Sequence, residues 1–247
     1  MLRGLWRLTW LEVKIFVREP LGVFGTVGAP VLVFLAVSRL LGGRTRLPGA
    51  TPGLAADLPV VVAMLVSVGA ILSLVAIMAI YREGGILKRL RATPLRPHTI
   101  LTAHVLVKLL FSTITLAIMA LAGRRLVPDG VDAPWLSFGA AVVFSAACVL
   151  SMGFVIASIV PTARFAQPLG ALVLYPMLGL SGLFVSVEAL PPGLQLVARG
   201  LPFTYAVNLL RGIWHGNSWA SHASDVGVLA LVFVLSAAVS ARVFRWE

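Results

Sequence analysis

Six apolar runs, each bounded by proline, glycine or charge, fall at about residues 20–41, 58–80, 100–122, 135–160, 166–187 and 226–243. A helix rises 1.5 Å per residue, so about twenty apolar residues cross the roughly 30 Å hydrocarbon layer of a bilayer. Each run is long enough, and 247 residues hold six such crossings and their connections but no extramembrane domain of ordinary size. Of these residues 59% are apolar and 12% charged, whereas a soluble domain is about half apolar and a quarter charged. The expectation is an all-α integral membrane protein in which residues 1–247 form one transmembrane domain.

The formal charge of +11, from 20 Lys and Arg against nine acids, would suggest nucleic acid as the partner of a soluble protein; in a membrane chain it sets orientation. Six crossings put both termini on one side. That side collects Arg3, Arg7, Lys14, Arg18, Arg82, Lys88, Arg89, Arg91, Arg96, Arg164, Arg242 and Arg245, twelve in all. The other collects Arg39, Arg44, Arg46, Arg124, Arg125, Arg199 and Arg211, seven in all, while Lys108 lies within a span. The bias predicts cytoplasmic termini, in a cell inner or plasma membrane. The single cysteine, Cys148, sits in an apolar run and is expected to pack as a small hydrophobe.

Residues 1–19 read as an interfacial helix. At 100° per residue Arg3, Arg7, Lys14 and Arg18 share one side, with Leu2, Leu5, Trp6, Trp10, Val13 and Phe16 roughly opposite. The basic flank resembles that of a secretory signal, but the apolar run behind it is long and lacks a small-x-small cleavage site, so the first span is expected to remain as an anchor.

The loop at 81–98 is the most charged stretch and yet carries Ile86, Leu87, Leu90 and Leu95. Ile86, Leu87 and Leu90 mark one face of a short helix that Pro94 would end. Two readings fit: the element docks on a partner with Lys88, Arg89 and Arg91 around the rim, or the cluster only fixes topology at lipid phosphates.

The run Arg82-Glu83-Gly84-Gly85-Ile86-Leu87-Lys88-Arg89-Leu90-Arg91-Ala92-Thr93-Pro94-Leu95 resembles the R-E-x-G-T-L-K-R-L-R-A-T-P-L segment of ABC-2 type ATP-binding-cassette transporter permeases, with Ile86 at the usual Thr. A second group is similar to that family's L-S-G-x-F, L-P and N-P-h-T-Y…h-R-G signature, where h is apolar: Leu180-Ser181-Gly182-Leu183-Phe184, Leu190-Pro191-Pro192, Leu201-Pro202-Phe203-Thr204-Tyr205 and Leu210-Arg211-Gly212. Leu201 stands for the common Asn, and the usual Pro after the Phe is missing. The resemblance implies that 82–94 is a coupling helix seated on a separate ATPase subunit, with Arg82, Glu83, Gly85, Leu87, Lys88, Arg89, Leu90, Arg91 and Pro94 as coupling residues. It also implies a dimer of six-span subunits, paired ATPase chains that carry ATP and Mg, and export, nearest to bacterial multidrug or antibiotic efflux permeases. The residues agree that the engine lies elsewhere. A phosphate-binding loop needs G-x-x-x-x-G-K-[ST], and none of Lys14, Lys88 and Lys108 follows a Gly or precedes Ser or Thr. No cofactor is expected in this chain.

Residues 188–215 are too interrupted to cross: Pro191, Pro192, Gly193, Gly200 and Pro202 cut them into pieces of about seven and about twelve residues. A short helical hairpin entering the outer leaflet suits this pattern, with Glu188, Pro191, Pro202, Thr204, Tyr205, Asn208 and Arg211 as its marked residues. Thr204, Asn208, Arg211 and His215 form a polar stripe opposite Val207, Leu210 and Trp214, either beside the exit of a substrate path or on a lid that only stabilises the fold. The third run puts His104, Lys108, Ser112 and Thr115 on one face. A cation at that depth must snorkel or face protein or water, which makes this face a candidate path wall or dimer seam. Gly22, Gly25 and Gly28 in the first run, and Ser145, Cys148 and Ser151 in the fourth, read as close helix contacts.

An intramembrane enzyme would need a deep base or metal facing a nucleophile. Only His104 lies deep, no H-E-x-x-H occurs, and His215, His222 and Asp225 match no tight ligand spacing. A passive channel would leave the amphipathic basic loop unexplained. Smooth apolar walls suit a hydrophobic or amphipathic cargo, drug-like by the family resemblance, with lipid, lipid-linked glycan or haem-type cargo as the alternative.

Overall fold

The computed structural model describes residues 2–42, 57–85, 97–126, 134–160 and 162–243, and these are all-helical, with no strand among them. Helix α1 is Leu2–Arg18; α2 is Pro20–Val23, a π turn follows at Phe24–Gly28, and α3 is Ala29–Gly42. Then come α4 Leu58–Glu83, α5 Pro97–Leu126, α6 Trp135–Ile159, α7 Ala163–Leu180, α8 Pro192–Gly200, α9 Pro202–Trp214 and α10 Ala223–Val243, with short 3₁₀ turns at Val187–Ala189 and Trp219–His222.

Among the described residues, four stretches are long and apolar enough to cross a membrane: Leu58–Glu83, Thr102–Met119, Trp135–Ser158 and Trp219–Ser240. The first and fifth expected runs take other forms. Residues 20–42 are helical in three pieces. The Ala29 amide reaches back to the Phe24 carbonyl, five residues away, which is what widens the turn. Pro30, one residue on, has no amide to extend the ordinary ladder. The run expected at 166–187 begins as helix at Ala163 and ends at Leu180, because Ser181 and Gly182, the latter at φ 86°, turn the chain away. Pro168 and Pro176 lie inside that helix.

Helix α4 is apolar on every side, and an all-round apolar helix belongs in the middle of a bundle. It packs against α6, α7, α5, α3 and α9. In its best spanning window 67% is buried within the chain, against 17% for the window containing α10. Helix α10 touches α6 and α9 but leaves Leu231, Phe233, Val234, Leu235 and Val239 outward, a surface for lipid or another chain.

Lipid tails are as apolar as the core, so burial by itself drives helices together weakly and close packing must do more of it. Glycines supply the closeness at two places. A Cβ on Gly153 of α6 would stand 3.1 Å from Ile71 Cγ2 and 3.2 Å from Leu74 Cδ2, and one on Gly170 of α7 would stand 2.8 Å from Leu72 Cδ2. Gly153→Leu should therefore push α6 off α4 and lower stability by about 1–3 kcal/mol. Gly139→Ala, where a Cβ meets nothing within 4 Å, should leave stability unchanged or slightly raised. Thermal unfolding of the two purified variants in detergent makes the comparison.

Candidate functional site

At one end of the bundle α4 stops where Gly84 caps it and Gly85 takes φ 64°, a left-handed conformation favourable to glycine. Just inside this stop stand Arg82 and Glu83. Arg82 donates from Nη1 to the Val160 carbonyl at 2.9 Å and from Nη2 to the Ala157 carbonyl at 2.8 Å. These carbonyls lie at the C-terminal end of α6, where helical partners run out and the dipole is negative. Glu83 Oε2 accepts from the Ala163 amide at 3.1 Å, at the N-terminal, positive end of α7. Two adjacent side chains of opposite charge thus satisfy two helix ends of opposite polarity.

Arg82, half-buried, and Glu83, exposed, are both engaged within the chain and hold the stem of the loop. Of the other expected coupling residues, Gly85 supplies the turn; Leu87, Lys88, Arg89, Leu90, Arg91 and Pro94 lie outside the described residues.

Beside the same end, α1 packs on α5 and buries an acid. The Tyr81 hydroxyl of α4 donates to the Glu12 carboxylate, and His104 Nδ1 of α5 lies 3.6 Å from Glu12 Oε2. Burial pushes the Glu12 carboxyl above its ordinary range, offset in part by the Tyr81 hydroxyl and the Lys108 ammonium. Lys108 Nζ donates to Ser73 Oγ at 2.7 Å and lies 4.9 Å from the centre of the Phe16 ring. Thr115 Oγ1 donates to the Phe111 carbonyl at 2.8 Å and reaches the Thr26 carbonyl at 3.3 Å. His104, Lys108, Ser112 and Thr115 are 4%, 5%, 4% and 0% exposed. This face is buried against α1, the first helical run and α4 of its own chain. Trp6 and Trp10 remain outward at 71% and 64% exposure.

At the opposite end, the 188–215 segment holds two short helices of 9 and 13 residues, α8 and α9, broken at Leu201. Pro191 precedes α8 and Pro202 opens α9, where a missing amide costs nothing. The Thr204 hydroxyl donates to the Ala198 carbonyl at 2.6 Å and the Tyr205 hydroxyl to the Arg199 carbonyl at 2.7 Å, so this pair ties off the end of α8. Gln195 reaches the carbonyls of Glu188 and Leu190. Arg211 Nε donates to Asp57 Oδ2 at 2.6 Å, and its Nη2 lies 3.3 and 3.5 Å from the Gly182 and Leu183 carbonyls. His215 Nε2 lies 2.8 Å from the other oxygen of Asp57. Asp57, 7% exposed, immediately precedes α4.

Gly212 has a spatial reason of its own. A Cβ there would lie 1.9 Å from His222 Nε2, and His222 Nδ1 is 2.8 Å from Asp225 Oδ2. Trp214 packs edge-on against Trp135 and Phe138, each at 5.0 Å between centroids. Of the expected polar stripe, Thr204, Arg211 and His215 are committed to contacts within the chain. Asn208 is exposed on an open cleft of about 460 Å³ that Arg211, His215, Asn217 and Ser221 also line.

Residues 3–214 match the family described as ABC-2 type transporter. The chain belongs to this family. Over 95 residues it is 32% identical to nodulation protein J of Rhizobium leguminosarum bv. viciae, 30% to that of R. leguminosarum bv. trifolii and 33% to that of Neorhizobium galegae. The aligned stretch is 38% of this chain and 37%, 36% and 36% of those relatives, so the match spans little more than a third of their length. The ABC-2 match ends at Trp214, just past the Arg211-Gly212 pair that closes one end of the bundle.

Two sequence-level omissions stand out. Asp57 sits in a loop-edge position, and its partner lies 154 residues away, beyond any local spacing. Glu12 is the one acid of α1, and nothing in its local spacing shows that it faces Tyr81 and His104. Two predictions follow from the packing. Asp57→Ala should cost about 2 kcal/mol of stability, and Arg211→Ala should add little more in the double variant; a double-mutant cycle by thermal unfolding measures this coupling. Gly212→Ala should prevent normal assembly of α8 and α9, and His222→Ala should restore folded yield in the pair, as read by monodisperse size-exclusion profiles.

Proposed function

We infer that this chain is the membrane-spanning permease subunit of an ATP-binding-cassette exporter, driven by a separate pair of ATPase subunits that bind ATP and Mg. It works with a second copy of itself or a similar permease. The observation that carries the reading is the clamp at Arg82 and Glu83, because it joins the loop stem of α4 rigidly to the ends of α6 and α7. A push on residues 86–96 is then delivered to three helices together, which is what a subunit without its own engine requires.

Six crossings with both termini cytoplasmic fit this reading. Helix α7 starts beside Glu83 and is followed by Gly182, whose carbonyl meets the arginine bound to Asp57. It is therefore tied near both ends of α4, though with 18 residues against 26 it is the shorter helix. Residues 20–42 are continuous helical backbone through the π turn, about 35 Å at ordinary helical rise. The Lys and Arg bias puts the Arg82 end in the cytoplasm and the α8–α9 hairpin at the outer leaflet, where its cleft faces the exit.

The cargo is hydrophobic or amphipathic. The drug-efflux reading rests on the motif resemblance alone, since the matched relatives bear the name of nodulation proteins; lipid, lipid-linked glycan or haem-type cargo is the competing choice. Reversing Arg89 and Arg91 to Glu should abolish co-purification of the ATPase while membrane insertion stays normal. Undiminished co-purification would refute the docking role. Cargo-stimulated ATP turnover by the complex in liposomes, over a panel of drugs and lipids, selects the cargo class, and flux without nucleotide would refute the exporter reading.

A further inference from the structure

Lys108 is a buried cation whose charge is incompletely matched. Its ammonium has the Ser73 hydroxyl at 2.7 Å and the face of Phe16 at 4.9 Å. Among the described residues no carboxylate lies within 4.0 Å of it. Glu12 and Glu19 act on it only from farther away, and Glu12 is already taken by Tyr81 and placed beside His104. A buried ammonium costs several kcal/mol unless it is paired or hydrogen-bonded. One hydroxyl and one ring use only part of its three-donor capacity.

The remaining side of Lys108 borders a cavity of about 130 Å³ formed where the π turn faces α4, with Gly25, Thr26, Pro30, Leu65 and Gly69 in its wall. A single water needs about 10–15 Å³ of such space, so a carboxylate or phosphate group with the first carbons of a chain fits in it. The cavity has a mouth: Gly25, Leu65 and Gly69 are exposed at the surface of the chain. A Cβ on either glycine would meet nothing within 4 Å. Apart from Lys108 and Thr26 the wall is apolar, which is wrong for a free inorganic anion wanting donors on all sides. It suits a charged head on an apolar stem.

We propose that Lys108 and the cavity beside the π turn form a subsite for the oxyanion head of an amphiphile, a carboxylate or phosphate on an apolar chain. That such an amphiphile is cargo rests on the permease reading; the binding does not. Lys108 supplies the counter-charge, Leu65 and Pro30 flank the stem, and the two glycines leave the way in clear.

The test uses the full chain in nanodiscs of zwitterionic phosphatidylcholine, titrated with a fluorescent long-chain carboxylic acid and with its primary amide. The acid should bind at least about tenfold tighter than the amide. Lys108→Met should bring the two to parity, and Lys108→Arg should keep the preference. Gly69→Leu, which fills the mouth but leaves the ammonium untouched, should weaken both ligands. Native mass spectrometry of protein purified from cells separates the sources of the head. An anionic phospholipid retained by the wild type and lost from Lys108→Met makes the ligand a resident lipid. Equal binding of acid and amide by a wild type that retains no such lipid overturns the proposal. So does an acid preference, or a retained lipid, that survives Lys108→Met. ATP turnover of the complex with its ATPase is a separate readout: tight, Lys108-dependent binding without stimulation by the acid would refute the cargo role and leave the subsite standing.

Discussion

A chain that ends helices at the edge of a membrane must find partners for the last carbonyls of one helix and the first amides of the next. Water is scarce there and each unpaired group is expensive. In this protein the problem at the α6–α7 junction is solved from outside, by the neighbouring residues Arg82 and Glu83 of α4. The guanidinium covers carbonyls at 157 and 160, the carboxylate covers the amide at 163, and each charge opposes the dipole end it touches. Because α4 is also the most enclosed long helix, the pair ties the centre of the bundle to two of its walls.

The other end of α4 is held by the same kind of chemistry with the polarity exchanged. There the acid, Asp57, immediately precedes α4, and the base, Arg211, comes from the α9 helix and also touches the Gly182 and Leu183 carbonyls beyond α7. Helix α7 is therefore referenced to α4 at both ends through side chains rather than through continuous backbone. Pro168 and Pro176 interrupt its hydrogen-bond ladder between those points. An element fixed at its ends and softened in the middle bends there first.

Much of this was legible in the residues. Apolar run length located α4, α5, α6 and α10, since no other feature of a chain makes twenty apolar residues affordable. Prolines and glycines at 191–202 announced that this segment is broken into two short helices. The family motifs drew attention to Arg82, Arg211 and Gly212, but local spacing says nothing about what a charged side chain will meet. The motif marked Arg82 and Glu83 as coupling residues, and only the fold shows that they also satisfy the ends of two neighbouring helices. Burial of the His104–Lys108 face depended on α1 lying over it, and the amphipathic pattern of α1 showed a basic side and an apolar side without revealing that Glu12 would face the protein. The first and fifth runs differed from simple helices because a π turn and a left-handed glycine are single-residue backbone events that hydropathy averages away.

The clamp on the α6–α7 junction also fixes a count. Three residues, 160 to 162, separate Ile159 from Ala163, and both sides of that gap are gripped by neighbours on a single rigid helix. Adding one residue lengthens the chain by up to about 3.8 Å, far more than the few tenths of an ångström over which an amide holds a carboxylate. Substitutions within the connection are compatible with the clamp, but insertions and deletions are not, so among relatives that keep the acid–base pair this corner should vary in composition and never in length.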